Sequence, residues 1–149
     1  MIVREARITD MPSLLDFQLK MALETEHVQL EIQPLTQGMQ RLLKDPGKGK
    51  YYVAEESGEV IGCLMTTFEW SEWRCGTILW IQSVYVAAPW RKKGVFKKMY
   101  QHIHQLVSED DDLKGIRLYV DKTNQTAQQV YSGLGMNGDH YTVYEWMKP

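Results

Sequence analysis

The segment Val84-Tyr85-Val86-Ala87-Ala88-Pro89-Trp90-Arg91-Lys92-Lys93-Gly94 runs from an apolar strand through a proline turn into a basic loop that ends in glycine. An amphipathic helix opens directly after it, with Val95, Met99, Ile103, Leu106 and Val107 on one face. A strand, a loop and a helix N-terminus in that order present free backbone N–H groups to an anion, and the helix dipole favours negative charge there. The chemistry predicted for this segment is the holding of a cofactor's pyrophosphate.

The charges around that helix point the same way. Arg91, Lys92, Lys93, Lys97 and Lys98 crowd its first turns, and Glu109, Asp110, Asp111 and Asp112 follow its last. Both ends oppose the dipole, at roughly 0.3–1 kcal/mol per charge. A bound anion would offset the basic end. A solvated basic patch, or a patch for nucleic-acid phosphates, is the alternative.

The elements that position the loop can be read from pattern. Ile2 to Ile8 reads as a strand, and Thr9 or Asp10 can cap the helix after it, with Pro12 in its first turn. That helix carries Leu14, Leu15, Leu19, Ala22 and Leu23 as its stripe. Leu35 to Lys44 reads as a shorter helix that stops before Asp45-Pro46-Gly47. Tyr51–Glu55 and Val60–Glu69 make a hairpin around Ser57-Gly58-Glu59, and Ile78–Val86 is apolar on both faces, as a covered central strand would be. Ile116–Val120 is a further strand. Asn124 caps a helix with Ala127, Val130, Tyr131 and Leu134 as its stripe and Gly135 at its C-terminal end, and Tyr141–Met147 is a last strand. The order βααβββαβαβ predicts one α/β domain over 1–149, a mixed sheet with helices on its faces.

Composition narrows the classes. The 149 residues suit one core, and 17 bases against 19 acids give a net charge of −2, which argues against a general nucleic-acid binder. Two cysteines, Cys63 and Cys75, fit no zinc or disulfide framework, so a cytoplasmic setting is expected. No apolar run reaches membrane-spanning length and the N-terminus has no signal-peptide core, so no membrane partner is expected. His102 and His104 are two apart on a helix and cannot share a face, and no metal site is expected.

The loop and the following helix together resemble the GCN5-related N-acetyltransferases (GNAT). The family's phosphate loop runs glutamine or arginine, two residues, glycine, one residue, then glycine or alanine. Here it reads Arg91-Lys92-Lys93-Gly94-Val95-Phe96, preceded by the strand ending Val84-Tyr85-Val86. The family's second motif matches Asn124, Ala127, Tyr131 and Gly135, with Met136 in an aromatic place. Phe96, where a small residue is usual, and Met136 are the departures; Phe96 must turn toward the core or crowd the cofactor.

The resemblance implies a mixed, mostly antiparallel sheet of six to seven strands, about four flanking helices and a splayed central strand pair. It implies acetyl transfer from acetyl-CoA to a primary amine of a small molecule or polypeptide by direct attack in a ternary complex. The backbone of Val84, Tyr85 and Val86 would bind the pantetheine arm. Arg91, Lys92, Lys93, Gly94, Val95 and Phe96 would wrap the pyrophosphate. Asn124 would cap its helix or touch the cofactor arm, and Tyr131 would be the general acid for the leaving thiolate, in contact with the cofactor. Where a family glutamate is expected as base, the strand carries Trp80 and Gln82, which would line the acceptor cleft with Trp70, Trp73 and Tyr85 nearby. Glu69 or Glu72 from the hairpin, Glu24, Glu26, His27 or Glu31 from the opposite wall, or water would then take the proton. The alternative is a non-catalytic acyl-CoA sensor or interaction module of the same fold. A homodimer is left open.

Overall fold

The computed structural model describes residues 1–149. It divides into a larger body, Met1–Arg117, and a C-terminal one, Leu118–Pro149.

In the larger body, strand β1 (Ile2–Glu5) leads through a short 3-10 turn, Ile8–Asp10, into α1 (Met11–Glu26). Asp10 does not cap α1 with its side chain; its carboxylate accepts the Arg7 N–H at 2.7 Å and the Arg4 guanidinium at 2.8 and 3.0 Å. The Arg4 hydrogen bonds hold the Asp10 carboxyl below the ordinary carboxylate range. Helix α2 (Ile32–Lys44) starts one turn before the predicted Leu35, with Pro34 in its first turn, where no N–H is needed. Strands β2 (Lys50–Glu56) and β3 (Glu59–Ser71) form the expected hairpin. Its two turn residues, Ser57 at φ 51° and Gly58 at φ 83°, are both left-handed, as a twist-matched two-residue turn requires.

Strand β4 (Gly76–Val86) pairs antiparallel with β3 and parallel with β5 (Leu113–Arg117), so the order is β1-β2-β3-β4-β5. The parallel step forces a crossover, supplied by α3 (Val95–Glu109). Neighbouring residues of β3 show the layering. The Cys63 side chain meets Gln18 of α1, whereas a Cβ on Gly62 would meet Val95 and Met99 of α3. Leu14, Phe17, Met39, Tyr51, Val53, Cys63 and Tyr85 fill the core under α1 and α2, and Val95, Met99 and Ile103 bury the stripe of α3. No helix is long and apolar enough to cross a membrane.

Two features of β4 shape the site. Pairing with β5 covers Thr77–Trp80, while β4 runs on to Val86. A bulge also places Ser83 and Val84 of β4 opposite Leu64 alone, with Ser83 left-handed at φ 54°.

The C-terminal body holds α4 (Gln125–Gly133). The sheet has five strands rather than six to seven. Within the C-terminal body the expected strand Tyr141–Met147 has no regular structure of its own. Sequence pattern reports strand propensity, whereas a strand needs a second backbone to pair with. β5 begins at Leu113, three residues before the predicted Ile116. Leu113 pairs with Thr77 directly after a turn in which Asp110 accepts the Asp112 and Leu113 N–H groups.

Candidate functional site

The turn between β4 and α3 is built from backbone bonds that stop short of the helix start. Ala87 N–H reaches Ile61 at 2.9 Å, Trp90 N–H reaches Ala87 at 2.8 Å and Arg91 N–H reaches Ala88 at 3.3 Å. Gly94 is the N-cap of α3, and its carbonyl takes the Lys98 N–H at 3.0 Å. The N–H groups of Val95, Phe96 and Lys97 therefore form the first turn, which has no acceptor of its own within the helix. No acidic residue stands in that turn.

Lys92 at φ 61° and Gly94 at φ 77° are both left-handed. For a lysine this conformation costs of order 1–3 kcal/mol, a cost found where a turn serves a ligand. A Cβ on Gly94 would meet nothing within 4 Å, so the space beside this backbone is open to a partner. Open space, donors and cations on one helix end fit a diphosphate. Phe96 does not fill that space: its ring packs on Tyr100, one turn on, at 6.3 Å. Lys93 lies over the Trp90 ring at 5.1 Å, and Lys92 and Lys97 are exposed.

Arg91 has protein partners on three sides. Its Nε donates to the Val86 carbonyl at 3.0 Å, its terminal nitrogen pairs with Glu24 at 2.6 Å, and its guanidinium sits 5.2 Å over the Tyr85 ring. The Tyr85 hydroxyl donates to the other Glu24 oxygen at 3.1 Å. Burial, then the Glu24 carboxylate, raises the Tyr85 phenol above its ordinary value. Glu24 thus joins the end of α1 to the end of β4 and to the loop. The sequence placed Glu24 on the opposite wall but gave no signal for this link across 61 and 67 residues.

A second cluster lies further back on the face of β4 that α1 covers. Thr67, Trp80 and Arg117 stand in register across β3, β4 and β5. Glu69 accepts from Trp80 Nε1 at 3.0 Å and from Arg117 at 2.5 Å, one donor on each oxygen. Gln82 accepts from the Thr67 hydroxyl at 3.4 Å. Trp80 and Gln82 lie on the same face of β4. Trp70 does not: it alternates with Glu69 and projects on the α3 side of the sheet. Trp73 lies in the connection to β4 and is 89% exposed.

In the C-terminal body, the Asn124 side chain accepts the Ala127 N–H at 3.0 Å, the expected cap. Replacing Asn124 by alanine is expected to cost about 0.5–2 kcal/mol, read as faster amide exchange in the first turn of α4. The helix ends where the motif glycine stands. Gly135, at φ 85°, donates to Ser132 at 3.0 Å, and Met136 donates to the Tyr131 carbonyl at 3.1 Å. That pair of bonds requires the left-handed residue glycine supplies. Tyr131 is half-buried, and burial raises its phenol above the ordinary value. The hydroxyl therefore keeps its proton at neutral pH.

The sequence model of the acetyltransferase (GNAT) family matches residues 14–136. No protein of curated function matches the sequence. Among solved structures, a possible acetyltransferase from Clostridium difficile 630 is 40% identical, with a TM-score of 0.93 over 99% of this chain and 97% of that one. A transcriptional regulator from Bacillus halodurans C-125 is 19% identical, with a TM-score of 0.83 over 98% and 99%. An aminoglycoside acetyltransferase from an uncultured soil metagenomic sample, solved with sisomicin, is 16% identical, with a TM-score of 0.79 over 99% and 95%. The last two likenesses show the fold alone.

Proposed function

The chain belongs to the acetyltransferase (GNAT) family, and from that premise we propose that it transfers an acetyl group from acetyl-CoA to a primary amine of a small molecule or polypeptide, by direct attack in a ternary complex. One observation carries the reading: a helix N-terminus with open first-turn amides, an unhindered left-handed glycine and a basic turn, placed where β4 outruns its neighbour.

Bound there, acetyl-CoA would supply an activated acyl thioester. The amides from Gly94 to Phe96 and the cations of Arg91, Lys92 and Lys93 would hold its diphosphate, with Arg91 also bracing the turn against Glu24. The edge of β4 at Val84, Tyr85 and Val86 is unladdered by β5 and would hydrogen-bond the pantetheine amides as an added strand does. Asn124 would fix α4, and with it Tyr131, whose Oη would give its proton to the departing sulfur. Trp80 and Gln82 would line the acceptor wall, which suits an amine with an apolar or cationic body. We also read the protein as cytoplasmic and its two bodies as one acetyltransferase domain.

The acceptor ammonium must lose a proton before it attacks, since its free pKa is near 10.4 for a lysine-like amine. Glu69 is the candidate base, and water is the alternative. The two donors already on Glu69 support water. By that route Glu69→Gln lowers kcat less than about tenfold; a Glu69 base predicts a loss of about 10²–10⁴-fold. Initial rates with a saturating amine separate them.

The sensor reading draws on the absence of an acid at Trp80 and Gln82. Two assays test the choice. Acetyl-CoA at about 100 times its Kd should stabilise the protein by ~2.7 kcal/mol. An amine panel should then release CoA thiol. Stabilisation without thiol release from any amine would favour the sensor, and absence of stabilisation would sink both readings.

A further inference from the structure

Glu24 stands in the last turn of α1, where the helix dipole disfavours an acid and no basic residue of the turn offsets it. Its charge is met from the loop before α3 instead. One carboxylate oxygen takes a terminal nitrogen of Arg91 at 2.6 Å, and the other takes the Tyr85 hydroxyl at 3.1 Å.

Both partners have a second anchor. The Nε of Arg91 stays on the Val86 carbonyl at 3.0 Å and its guanidinium stacks on the Tyr85 ring at 5.2 Å. Glu24 keeps Tyr85. The terminal nitrogen of Arg91 can therefore change partner by a small turn of a held group. The ion pair is 44% and 43% exposed, and a pair of that kind is weak in water.

A diphosphate seated on the first amides of α3 brings a second anion to the same guanidinium. Two anions on one cation compete for it and repel each other. The diphosphate is common to acetyl-CoA and to the CoA left after transfer. A grip on it stabilises substrate, transition state and product alike. Such a grip adds nothing to the chemical step and slows product release.

We propose that Glu24 is an internal competitor for Arg91. It gives up the terminal nitrogen when the diphosphate binds and takes it back as CoA leaves. Glu24 thereby sets donor affinity and speeds product release. The inference rests on the acetyl-transfer reading, since the competing anion is the donor's diphosphate.

Titration calorimetry and stopped-flow dissociation of CoA from the full chain test this. Glu24→Gln keeps the side chain's shape and an oxygen for the Tyr85 hydroxyl but loses the charge. Its Kd for CoA should fall about 3–10-fold, mostly through slower dissociation. Its affinity for pantetheine, which has no diphosphate, should not change. Asp16→Asn removes an acid of the same helix, one paired with Lys20, and should leave the CoA Kd as it was. A purely bracing Glu24 would give weaker binding on substitution, so the direction of the change separates the two roles. CoA bound equally or more weakly by Glu24→Gln overturns the proposal, as does tightening shared by pantetheine or by Asp16→Asn; each leaves the acetyl-transfer reading standing. A wild type that binds no CoA would sink that reading and this inference with it. Should Glu24→Gln fail to fold, NMR of the Glu24 carboxylate carbon in the wild type decides. Its shift should move with CoA and hold with pantetheine, and the same response to both overturns the competition.

Discussion

Replacing Tyr131 by phenylalanine should lower kcat by about 10²–10⁴-fold, the range for loss of a positioned proton donor. The substitution removes one oxygen and keeps the ring. Tyr131 serves the end of α4 through its carbonyl, which accepts the Leu134 and Met136 N–H groups, and phenylalanine preserves that carbonyl. Helix content and the KM for acetyl-CoA should therefore change little. Burial raises the phenol's pKa, so in the wild type its ionisation should not cut kcat until the pH passes its ordinary value near 10. Thiol-release kinetics across pH check both statements. A kcat within threefold of wild type would remove Tyr131 from the chemistry.

Gly94→Val should have the second largest effect, on binding rather than on turnover. Gly94 holds φ 77°, which a β-branched residue adopts at a cost of about 1–3 kcal/mol. The new side chain would project into the open space beside the helix start, where no protein atom lies within 4 Å of a Cβ. No packing is disturbed, so the variant should fold. The turn would either relax, moving the first amides of α3, or keep its shape with methyl groups facing the ligand. Either outcome should raise the KM for acetyl-CoA about 10–100-fold, with kcat at saturation within a few fold. Gly94→Ala should fall between. A Gly94→Val enzyme with unchanged KM would show that the diphosphate lies elsewhere.

Local features are legible in the sequence. The glycine loop, the Asn124 cap and the Gly135 terminus each rest on residues within one turn of one another, where residue type nearly dictates conformation. The hairpin at Ser57-Gly58 is of the same kind. Features that depend on register were not readable. Glu69 meets Arg117 across 48 residues, and only the strand pairing brings them together. The sequence shows the charge of Arg91 and gives no sign that Glu24, 67 residues away, shares it. The bulge at Ser83 carries no glycine to announce it. Trp70 and Trp80 seemed to belong to one mouth because both are aromatic, but strand alternation sends them to opposite faces. The last predicted strand, Tyr141–Met147, is of the same kind: its residues suit a strand, and pairing depends on a partner that a single sequence does not reveal.

The account rests on the amides at the start of α3 holding the donor's diphosphate. Titration of the labelled protein with CoA, followed by backbone amide NMR, tests this directly. The largest shifts should fall on Gly94, Val95, Phe96 and Lys97 and saturate together. Pantetheine, which lacks the diphosphate, should leave those four nearly unmoved at the same concentration. Saturable CoA binding that shifts other amides and spares these four would contradict the account.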